Sequence, residues 1–511
     1  MSITLPRLLS SGMVLQRNTR NVLWGTADET VTVVFRNKTY TTEPDENGAW
    51  SLTLYDLSPG GPDTMRIGKQ LLTDVYVGEV WLCGGQSNMQ LPMQRVKYMY
   101  PEEMDAENPY IRQFTVPERY HFGGPLTELD DGCWRGVSPQ TIRDFSAVGY
   151  FFAKQLYAKY QVPVGLILTA IGGTPLHAWM GMDTLSPELC AQAALFSDSS
   201  SVARVLRESA EKQDAFFTEV NRSDTGLAEG FHQPGYIDNA WEERSLLAPW
   251  NGTGSVWLRK SLEIPPCLVG RSAKLFLGTV KDWDMAFVNG EVVGNTPYRY
   301  PPREYDIPAL PAGRCVIAIR VIFKDGGGFT PGKQYLLATE AGSLDLSSLW
   351  RYHRGGMAQP PQPEVNLIYQ PTGLYNGMIT PLSRFAIKGT IWYQGESNAE
   401  HPQRYADQFE ALVRQWRTLW GYSFPFLFTE LAYWGEGLDW DAMRKEQRKC
   451  LRIPGTAMAA AADVGEYNDL HPQGKRPVGE RLARCAMRLA YGETLPPSPF
   501  EVTGVWGGFG L

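Results

Sequence analysis

Ser87 has the sequence surroundings of a nucleophile that follows a buried strand. In VWLCGGQSNMQLPM (80–93) it comes after the apolar run Val80-Trp81-Leu82 and the pair Gly84-Gly85, and glycines permit a sharp turn. A serine hydrolase needs such a turn, a histidine within reach, and N–H or amide donors for an oxyanion. A serine after two glycines is also typical of an ordinary turn or a helix N-cap. The positions of the histidines are therefore needed to distinguish a nucleophile from a turn residue.

Six histidines could supply the general base, and their positions in the sequence separate them. They are His121, His177, His232, His353, His401 and His471. His121, His232 and His353 lie in loop-like stretches and are expected at the surface. His471 lies in DVGEYNDLHP, between the small-residue strand TAMAAAADV and the last helix, where an α/β hydrolase carries its base. We therefore predict His471 as the base, with His177 and His401 as alternatives on the same sheet edge.

The elements around these residues predict a parallel α/β sheet. Val164–Ala170 is typical of a fully buried strand, and it follows a stretch with helical periodicity, 145–160. The runs 386–395 and 424–431 are further strand candidates, and a final helix is expected over 478–492 because its apolar residues share one face. Strands and helices that alternate through glycine-rich turns are typical of a parallel sheet flanked by helices.

Two other regions have an all-β pattern. Residues 1 to about 75 contain short β-rich runs such as VTVVF (31–35) and KTYTT (38–42), which predict a small sandwich. Alternating runs return near residue 240, and Asn289-Gly290 between two of them is a strong hairpin signal. The predicted order is an N-terminal β-sandwich (1–75), a hydrolase domain (76–239), an inserted β-sandwich (240–340), the rest of the hydrolase domain (341–495) and the start of a C-terminal element (496–511).

Composition and motifs exclude several classes of protein. The net charge of −7 gives no basic field for nucleic acid or an anionic membrane, and no apolar run approaches the roughly 18 residues of a membrane span. The seven scattered cysteines contain no CxxC, no nucleotide-binding glycine motif occurs, and no histidine pair has metal-ligand spacing. We therefore expect no metal and no cofactor.

Two smaller expectations concern the termini and the charge pattern. The N-terminus lacks the apolar core of a secretory signal, which predicts a cytoplasmic protein, or a periplasmic or secreted one if a signal peptide has been removed. The acidic run PEEMDAE (101–107) is expected to be a solvated face.

Four short blocks occur in order along the chain, and together they resemble the bacterial sialate O-acetylesterase family. They are GGQSNM (84–89), IGGTPLHAW (171–179), WYQGESNA (392–399) and NDLHP (468–472). That family belongs to the SGNH (GDSL-like) hydrolases, and related members deacetylate xylan or xyloglucan. The resemblance implies an SGNH-hydrolase-like fold with an inserted galactose-binding-like jelly roll. It also implies a carbohydrate O-acetylesterase with Ser87 as nucleophile and His471 as base.

This sequence departs from the wider SGNH pattern in the last block. The aspartate that usually stands three residues before the histidine is replaced by Asn468. Asp469 is therefore expected to orient His471, with Asp463 or Glu466 as alternatives, or the site works as a Ser–His dyad.

A second departure concerns the oxyanion donors. The usual asparagine two residues after the block glycine is Ser397 here, so Gln394 and Asn398 are both candidates for the side-chain donor. They would act beside the backbone N–H groups of Ser87 and Gly173. We expect Gln86, Asn88 and Glu396 to bind substrate. The alternative for Gln394, Asn398 and Glu396 is that they only brace the loop.

The expected function is a serine esterase that removes O-acetyl groups, through an acyl-enzyme, from sialic acid or from oligosaccharides derived from plant polysaccharides. The expected partner is thus an acetylated carbohydrate, with no nucleic acid and no membrane. A glycoside hydrolase, which would use two carboxylates about 5–10 Å apart, and a non-catalytic carbohydrate-binding protein are the alternatives. Tyr298 and Tyr300 of the insert are expected to contact the carbohydrate, unless the insert is purely structural.

Overall fold

The computed structural model describes residues 3–435 and 437–504 of the chain. The chain divides into two compact units. Unit 1 comprises Met1–Val202 and Asn366–Leu511, and unit 2 comprises Ala203–Val365. Each unit has its own large cluster of buried apolar side chains.

The N-terminal strands lead directly into the strand that carries Ser87. They are β1 (Ile3–Thr4), β2 (Val14–Gln16), β3 (Asn21–Ala27), β4 (Val31–Phe35), β5 (Lys38–Thr42), β6 (Ala49–Leu54), β7 (Gly60–Ile67) and β8 (Gln70–Gly85). The strands predicted at 31–35 and 38–42 are confirmed as the antiparallel pair β4 and β5. The first half of β8 pairs with β7, and its second half pairs with later strands. Hence one continuous strand joins the N-terminal strands to the sheet of the candidate site.

The next segment alternates strands and helices. Its elements are α1 (Ser87–Gln90), β9 (Asn108–Thr115), β10 (Trp134–Val137), α2 (Ala147–Tyr160), β11 (Val164–Ala170), α3 (Pro187–Ala194) and α4 (Ser199–Ser223). The Ser146 hydroxyl caps α2 by accepting a hydrogen bond of 3.0 Å from the Gly149 N–H, as an N-cap serine should. The predicted helix over 145–160 and the predicted strand at Val164–Ala170 are confirmed.

The expectation that 101–107 is a solvated face was wrong for Glu103. Its side chain is buried, and it accepts hydrogen bonds from the Tyr150 hydroxyl (2.7 Å) and from the Lys154 ammonium (2.6 Å). A buried carboxylate is tolerated when it is paired and hydrogen-bonded in this way. The acidic run is thereby attached to α2.

Unit 2, all of whose residues are described, consists mainly of antiparallel strands in two sheets. The strands are β12 (Glu242–Ser245), β13 (Gly254–Ile264), β14 (Ala273–Leu277), β15 (Trp283–Val288), β16 (Glu291–Thr296), β17 (Glu304–Ile307), β18 (Gly313–Phe323), β19 (Tyr335–Thr339), β20 (Gly342–Asp345) and β21 (Leu349–Met357). Their orders are β12-β21-β13-β18-β15-β16 and β17-β14-β19-β20. Strands of both sheets contribute to one apolar core. The hairpin predicted at Asn289-Gly290 is confirmed between β15 and β16.

After unit 2 the chain completes the parallel sheet of unit 1. The elements are β22 (Gly389–Tyr393), α5 (Tyr405–Trp420), β23 (Phe426–Thr429), α6 (Trp440–Lys449), β24 (Thr456–Ala459), α7 (Lys475–Leu489) and β25 (Glu501–Thr503). Within the described residues the strand order is β10-β9-β11-β8-β22-β23-β24-β25, with parallel pairing from β9 to β24 and antiparallel pairing at both edges. The predicted strands within 386–395 and 424–431 are confirmed as β22 and β23.

Two further findings concern the C-terminal segment and the helices. Of the expected C-terminal element 496–511, Glu501–Thr503 forms β25, and residues 505–511 lie outside the described residues. No helix within 3–435 and 437–504 is long and apolar enough to cross a membrane.

Candidate active site

The neighbouring strands β11, β8 and β22 end at the same level, which brings three of the four sequence blocks together. Gly85, the last residue of β8, is opposite Ala170 on one side and Tyr393 on the other. Gly85 has φ +130°, and a Cβ there would lie 2.1 Å from the Tyr393 carbonyl oxygen. Only glycine permits this close approach. Ligands of open α/β sheets bind at this carboxyl edge.

Ser87 is the first residue of α1 and follows β8 after one intervening residue. Its side chain is partly exposed, whereas Gln86 and Asn88 on either side are buried. The loop after β11 passes beside it, because a Cβ on Gly172 would lie 3.4 Å from the Ser87 Cβ. The N–H at the start of a helix has no intrahelical acceptor. In the described part of the chain, neither the Ser87 N–H nor the Gly173 N–H donates a hydrogen bond.

Gln394 comes directly after β22, and its side-chain amide is fully used inside the protein. The residue is 0% exposed. Its Nε2 donates to the Thr174 carbonyl oxygen (3.2 Å) and to Asn398 Oδ1 (2.7 Å), and its Oε1 accepts from the Tyr405 hydroxyl (3.0 Å). An NH₂ group has two hydrogens to donate, so Gln394 has none left for an oxyanion.

Asn398 has the opposite arrangement. Its Oδ1 accepts from Gln394 Nε2 and from the Leu176 N–H, the latter at 3.0 Å. Two donors on the oxygen orient the amide so that the nitrogen points away from them. Asn398 is partly exposed, and its Nδ2 donates to no described residue. Of the two predicted side-chain donors, Asn398 therefore has the available N–H group.

Asn88 joins the helix of Ser87 to the loops after β22 and β24. Its Nδ2 donates to Glu396 Oε1 (2.5 Å) and to the Leu470 carbonyl oxygen (3.1 Å), and its Oδ1 accepts from the Lys475 ammonium. Asn88, Glu396 and Lys475 are all buried. Because Leu470 precedes His471, the bonds of one amide fix the predicted base loop against the predicted nucleophile helix.

The charges in this network perturb one another. Burial raises the pKa of Glu396, against the opposing effects of the Asn88 hydrogen bond and the Lys475 charge. Burial also lowers the pKa of Lys475 to about 8, although the carboxylates of Glu396, Asp469 and Glu466 act in the other direction. A buried ammonium group is thus retained close to several carboxylates, which limits the cost of removing it from water.

His471 and Asp469 are both buried in the loop before α7. The His471 backbone N–H donates to Asp469 Oδ1 at 2.8 Å, so this carboxylate stabilises the turn that contains His471. Asp463 is held instead by Arg481 through two contacts of 2.7 Å, and Glu466 accepts from the Gln473 N–H at 2.6 Å.

The two alternative histidines have different surroundings. His401 is exposed and directly precedes the 3₁₀ turn Pro402–Arg404. His177 is partly buried, and its Nε2–H donates to the Tyr369 carbonyl oxygen at 3.1 Å. Burial lowers the pKa of His177, and the hydrogen bond to Tyr369 opposes this shift.

The side chains expected to bind substrate are directed into the protein. Gln86 Oε1 accepts hydrogen bonds from the Gly395 and Ser397 N–H groups, both at 3.3 Å. The Asn88 side-chain amide donates a hydrogen bond to the Glu396 carboxylate. In the structure, all three therefore brace the loops that follow β8 and β22, and each is at most 9% exposed.

Sequence reasoning missed two residues at this edge, Lys475 and Tyr369. Lys475 stands in QGKRPV, which has the composition of an exposed helix start. Tyr369 follows unit 2 in the chain, and its hydroxyl lies 2.5 Å from where a Gly173 Cβ would stand. Neither has a motif that could have marked it.

The residues at this edge provide a serine hydroxyl, an imidazole and N–H donors, which is the set that acyl transfer requires. Within residues 3–435 and 437–504, no group of three or more His, Cys, Asp or Glu side chains could hold a metal ion.

Comparison with known families agrees with this chemistry. The sequence model of the family described as "Carbohydrate esterase, sialic acid-specific acetylesterase" matches residues 77–206 and 348–488. These segments make up just over half of the chain and contain all four blocks.

Individual proteins are similar over longer stretches. Sialate O-acetylesterase of Rattus norvegicus is 24% identical over 534 residues, which cover 94% of this chain and 72% of the rat protein. Sialate O-acetylesterase of Homo sapiens is 30% identical over 203 residues, covering 34% of this chain and 37% of the human protein. The crystal structure of a carbohydrate acetylesterase from Xanthomonas citri superposes with a TM-score of 0.60 at 27% identity, covering 97% of this chain and 77% of that one.

Proposed function

Since the chain belongs to the carbohydrate esterase family of sialic acid-specific acetylesterases, we propose that it removes O-acetyl groups from carbohydrates through an acyl-enzyme formed on Ser87. One observation carries the assignment of the site. The Asn88 side chain bonds to Leu470 and Glu396, which supports a site made of Ser87, His471 and the loop after β22.

In the first half-reaction, the Ser87 hydroxyl oxygen attacks the carbonyl carbon of the acetyl ester while His471 accepts the hydroxyl proton. The oxyanion accepts hydrogen bonds from the Ser87 and Gly173 N–H groups and from Asn398 Nδ2. Such donors stabilise the charge that develops in the transition state. The carbon–oxygen bond to the sugar then breaks, His471 returns the proton to the sugar oxygen, and acetyl-Ser87 remains.

In the second half-reaction, water replaces the sugar. His471 removes a proton from the water, whose oxygen attacks the acetyl carbon, and the same three donors hold the second oxyanion. Collapse breaks the bond to Ser87 Oγ, which takes the proton from His471, and acetate leaves. Asp469 orients His471 through the loop turn, or the pair acts as a dyad.

The roles of the other predicted residues follow from their bonds. Asn398 is the side-chain donor to the oxyanion, and Gln394 fixes the orientation of Asn398. Gln86, Asn88 and Glu396 position the loops and do not contact substrate, because all three residues are buried and Gln86 Oε1, the Asn88 amide and Glu396 Oε1 are bonded within the protein.

The proposal includes the finer description of the fold. The parallel sheet with its helices is an SGNH-type hydrolase domain in two parts, preceded by an N-terminal sandwich (1–75). The two antiparallel sheets of unit 2 form a jelly roll inserted between those parts; the expected insert 240–340 contains strands β12 to β19, and β20 and β21 directly follow it. The orders of the strands in both units support this description.

The substrate class is an acetylated carbohydrate. We propose O-acetylated sialic acid first, because the rat and human relatives are named sialate O-acetylesterases. Acetylated xylan and xyloglucan oligosaccharides are the second class. Acetate release from the three substrates, measured side by side, would distinguish them.

The mechanism is tested by changing the nucleophile. Ser87→Ala should reduce hydrolysis of p-nitrophenyl acetate by several orders of magnitude, because the attacking oxygen is lost. A serine-directed phosphonate should add one adduct mass to the wild type and none to Ser87→Ala.

The matched control is Ser423→Ala. Ser423 is exposed on the loop before β23, at the amino end of the strands, and its loss should leave turnover unchanged. Near-normal turnover by folded Ser87→Ala would refute the mechanism. Hydrolysis of p-nitrophenyl glycosides would instead favour a glycoside hydrolase.

A further inference from the structure

We propose that Tyr369 restricts the acyl group to acetyl by forming a wall beside the oxyanion donors. This proposal rests on the proposed esterase function and concerns a residue outside the four sequence blocks. It is argued from a chain of contacts that begins at Ser87.

The first contact is between Ser87 and Gly172. A Cβ on Gly172 would lie 3.4 Å from the Ser87 Cβ, which is ordinary van der Waals contact. The Gly172 N–H donates to Gln90 Oε1 at 2.8 Å, so the loop after β11 is bonded to the helix of Ser87. Gly173, whose N–H is a proposed oxyanion donor, comes next in this fixed loop.

The second contact is between Gly173 and Tyr369. A Cβ on Gly173 would lie 2.5 Å from the Tyr369 hydroxyl oxygen, 3.0 Å from Cζ and 3.1 Å from Cε1. The phenol therefore occupies the space that a side chain at position 173 would fill. Gly173 also has φ +76°, a conformation that favours glycine. Tyr369 is 37% exposed, which places its ring at the rim and not in the core.

The third point is that the wall is held in place. His177 Nε2–H donates to the Tyr369 carbonyl oxygen at 3.1 Å, and the Thr372 N–H donates to the His177 carbonyl oxygen at 3.1 Å. Tyr369 also ends a 3₁₀ turn in which its N–H donates to the Asn366 carbonyl oxygen. His177 thus positions Tyr369, and it does so from the same loop that carries Gly173.

The chemical consequence concerns the length of the acyl chain. A carbonyl oxygen bound by the Ser87 and Gly173 N–H groups places the carbonyl carbon next to Ser87, and a substituent that extends past Gly173 meets the phenol. A methyl group is the shortest such substituent. Each added methylene would have to displace a tyrosine held at two points of its backbone, and overpacking of this kind is unfavourable.

The test measures kcat/KM for p-nitrophenyl acetate, propionate, butyrate and hexanoate. The wild type should lose activity steadily with chain length. Tyr369→Ala should raise the butyrate-to-acetate ratio by about tenfold or more, the range expected when a pocket gains room for methylene groups. Tyr369→Phe removes only the hydroxyl oxygen, the Tyr369 atom closest to the Gly173 Cβ position. It should raise the propionate-to-acetate ratio, but by less than Tyr369→Ala does. His177→Ala should raise the butyrate ratio partly while acetate turnover remains.

The matched control is Tyr433→Ala. Tyr433 is 47% exposed on the loop after β23, and its loss should leave every acyl ratio unchanged. Unchanged ratios in a folded Tyr369→Ala variant overturn the proposal, and if that variant does not fold, unchanged ratios in Tyr369→Phe do so. Hydrolysis of p-nitrophenyl acetate that survives Ser87→Ala would overturn the proposed function. Hydrolysis that depends on Ser87 but shows unchanged acyl ratios in Tyr369→Ala would overturn only the proposal that Tyr369 limits acyl length.

Discussion

At the scale of single residues, Asn398 and Gln394 show how similar amides acquire different tasks. Both stand in one block, four residues apart, and they bond to each other. The bond makes Gln394 the donor and Asn398 the acceptor, so the free N–H groups belong to Asn398. Sequence alone left this choice open because it shows residue types and spacing, and not the direction in which an amide is held.

We predict that Asn398→Ala lowers kcat for p-nitrophenyl acetate by about 10²–10³, the effect of removing one oxyanion donor. The free energy of unfolding should fall by about 1–3 kcal/mol at most, because Gln394 Nε2 and the Leu176 N–H lose their shared acceptor, and water can replace it where Asn398 is partly exposed. Kinetics and urea denaturation of the same preparations measure the two effects.

Gln394→Ala is the comparison variant. It removes the donor to the Thr174 carbonyl oxygen and to Asn398 Oδ1, whereas the Tyr405 hydroxyl keeps the Gln394 backbone carbonyl at 3.1 Å as an acceptor. Leaving a buried polar group without its partner costs about 1–3 kcal/mol. It should therefore be the less stable of the two. A Gln394→Ala protein that is fully stable but inactive, beside an active Asn398→Ala, would reverse the assignment.

The site could be predicted only where it is built from contiguous blocks. Ser87 and His471 could be proposed because each lies in a stretch whose residue types indicate a turn or loop next to a strand. Lys475 and Tyr369 could not, because their roles come from burial against Asn88 and contact with Gly173, which are distant in the sequence.

At the scale of elements, the fully buried strands were the most predictable parts. Every residue of β11 is buried, and such a run of apolar residues is distinctive. Helix α4 was not predicted. In its 25 residues only Phe216 and Val220 are buried, so little of this helix packs into an apolar core.

Lys475, the first residue of α7, gives a pH-dependent prediction that belongs to this scale because its bond to Asn88 joins α7 to α1. Its pKa falls from the ordinary value of 10.5 to about 8, chiefly through burial; Glu396, Asp469 and Glu466 oppose the shift, and Arg95 adds to it. At pH values between about 8 and 10.5, Lys475 is protonated in the unfolded chain and has lost its proton in the folded chain. The free energy of unfolding should therefore rise with pH in this window.

The measurement is urea denaturation of the wild type and Lys475→Met at about pH 7 and about pH 10. Relative to the variant, the wild type should gain stability at the higher pH, by on the order of 3 kcal/mol at most. Lys445→Met, at an exposed position of α6, should show a similar difference at both pH values. A wild type that loses stability relative to Lys475→Met on going to pH 10 would contradict the prediction.

At the scale of the whole molecule, the two units have separate large cores, and the catalytic residues proposed here lie in unit 1. We predict that Ile319→Ala, in β18 of unit 2, lowers the free energy of unfolding by about 2–5 kcal/mol, as core truncations do. Turnover of p-nitrophenyl acetate per folded molecule should stay unchanged.

Ile391→Ala removes the same side chain from β22 of unit 1, where the residue is equally buried. It should reduce both stability and turnover, because β22 positions Gln394 and Asn398. Thermal unfolding and active-site titration with the phosphonate give stability and the number of competent sites. Equal losses of turnover in Ile319→Ala and Ile391→Ala would show that catalysis depends on the core of unit 2 as much as on that of unit 1.

The bonds of Asn88 also bear on how the chain is made. Asn88 and Leu470 are 382 residues apart, and all of unit 2 lies between them. A ribosome that adds about 5–20 residues per second needs on the order of 20–80 s to pass from one to the other. Until β22 (Gly389–Tyr393) has been made, the β22-pairing edge of β8 has no partner strand. Until Leu470 has been made, the Asn88 amide lacks that acceptor. The proposed nucleophile thus emerges long before the proposed base, and a nascent chain that has not yet reached His471 cannot carry both.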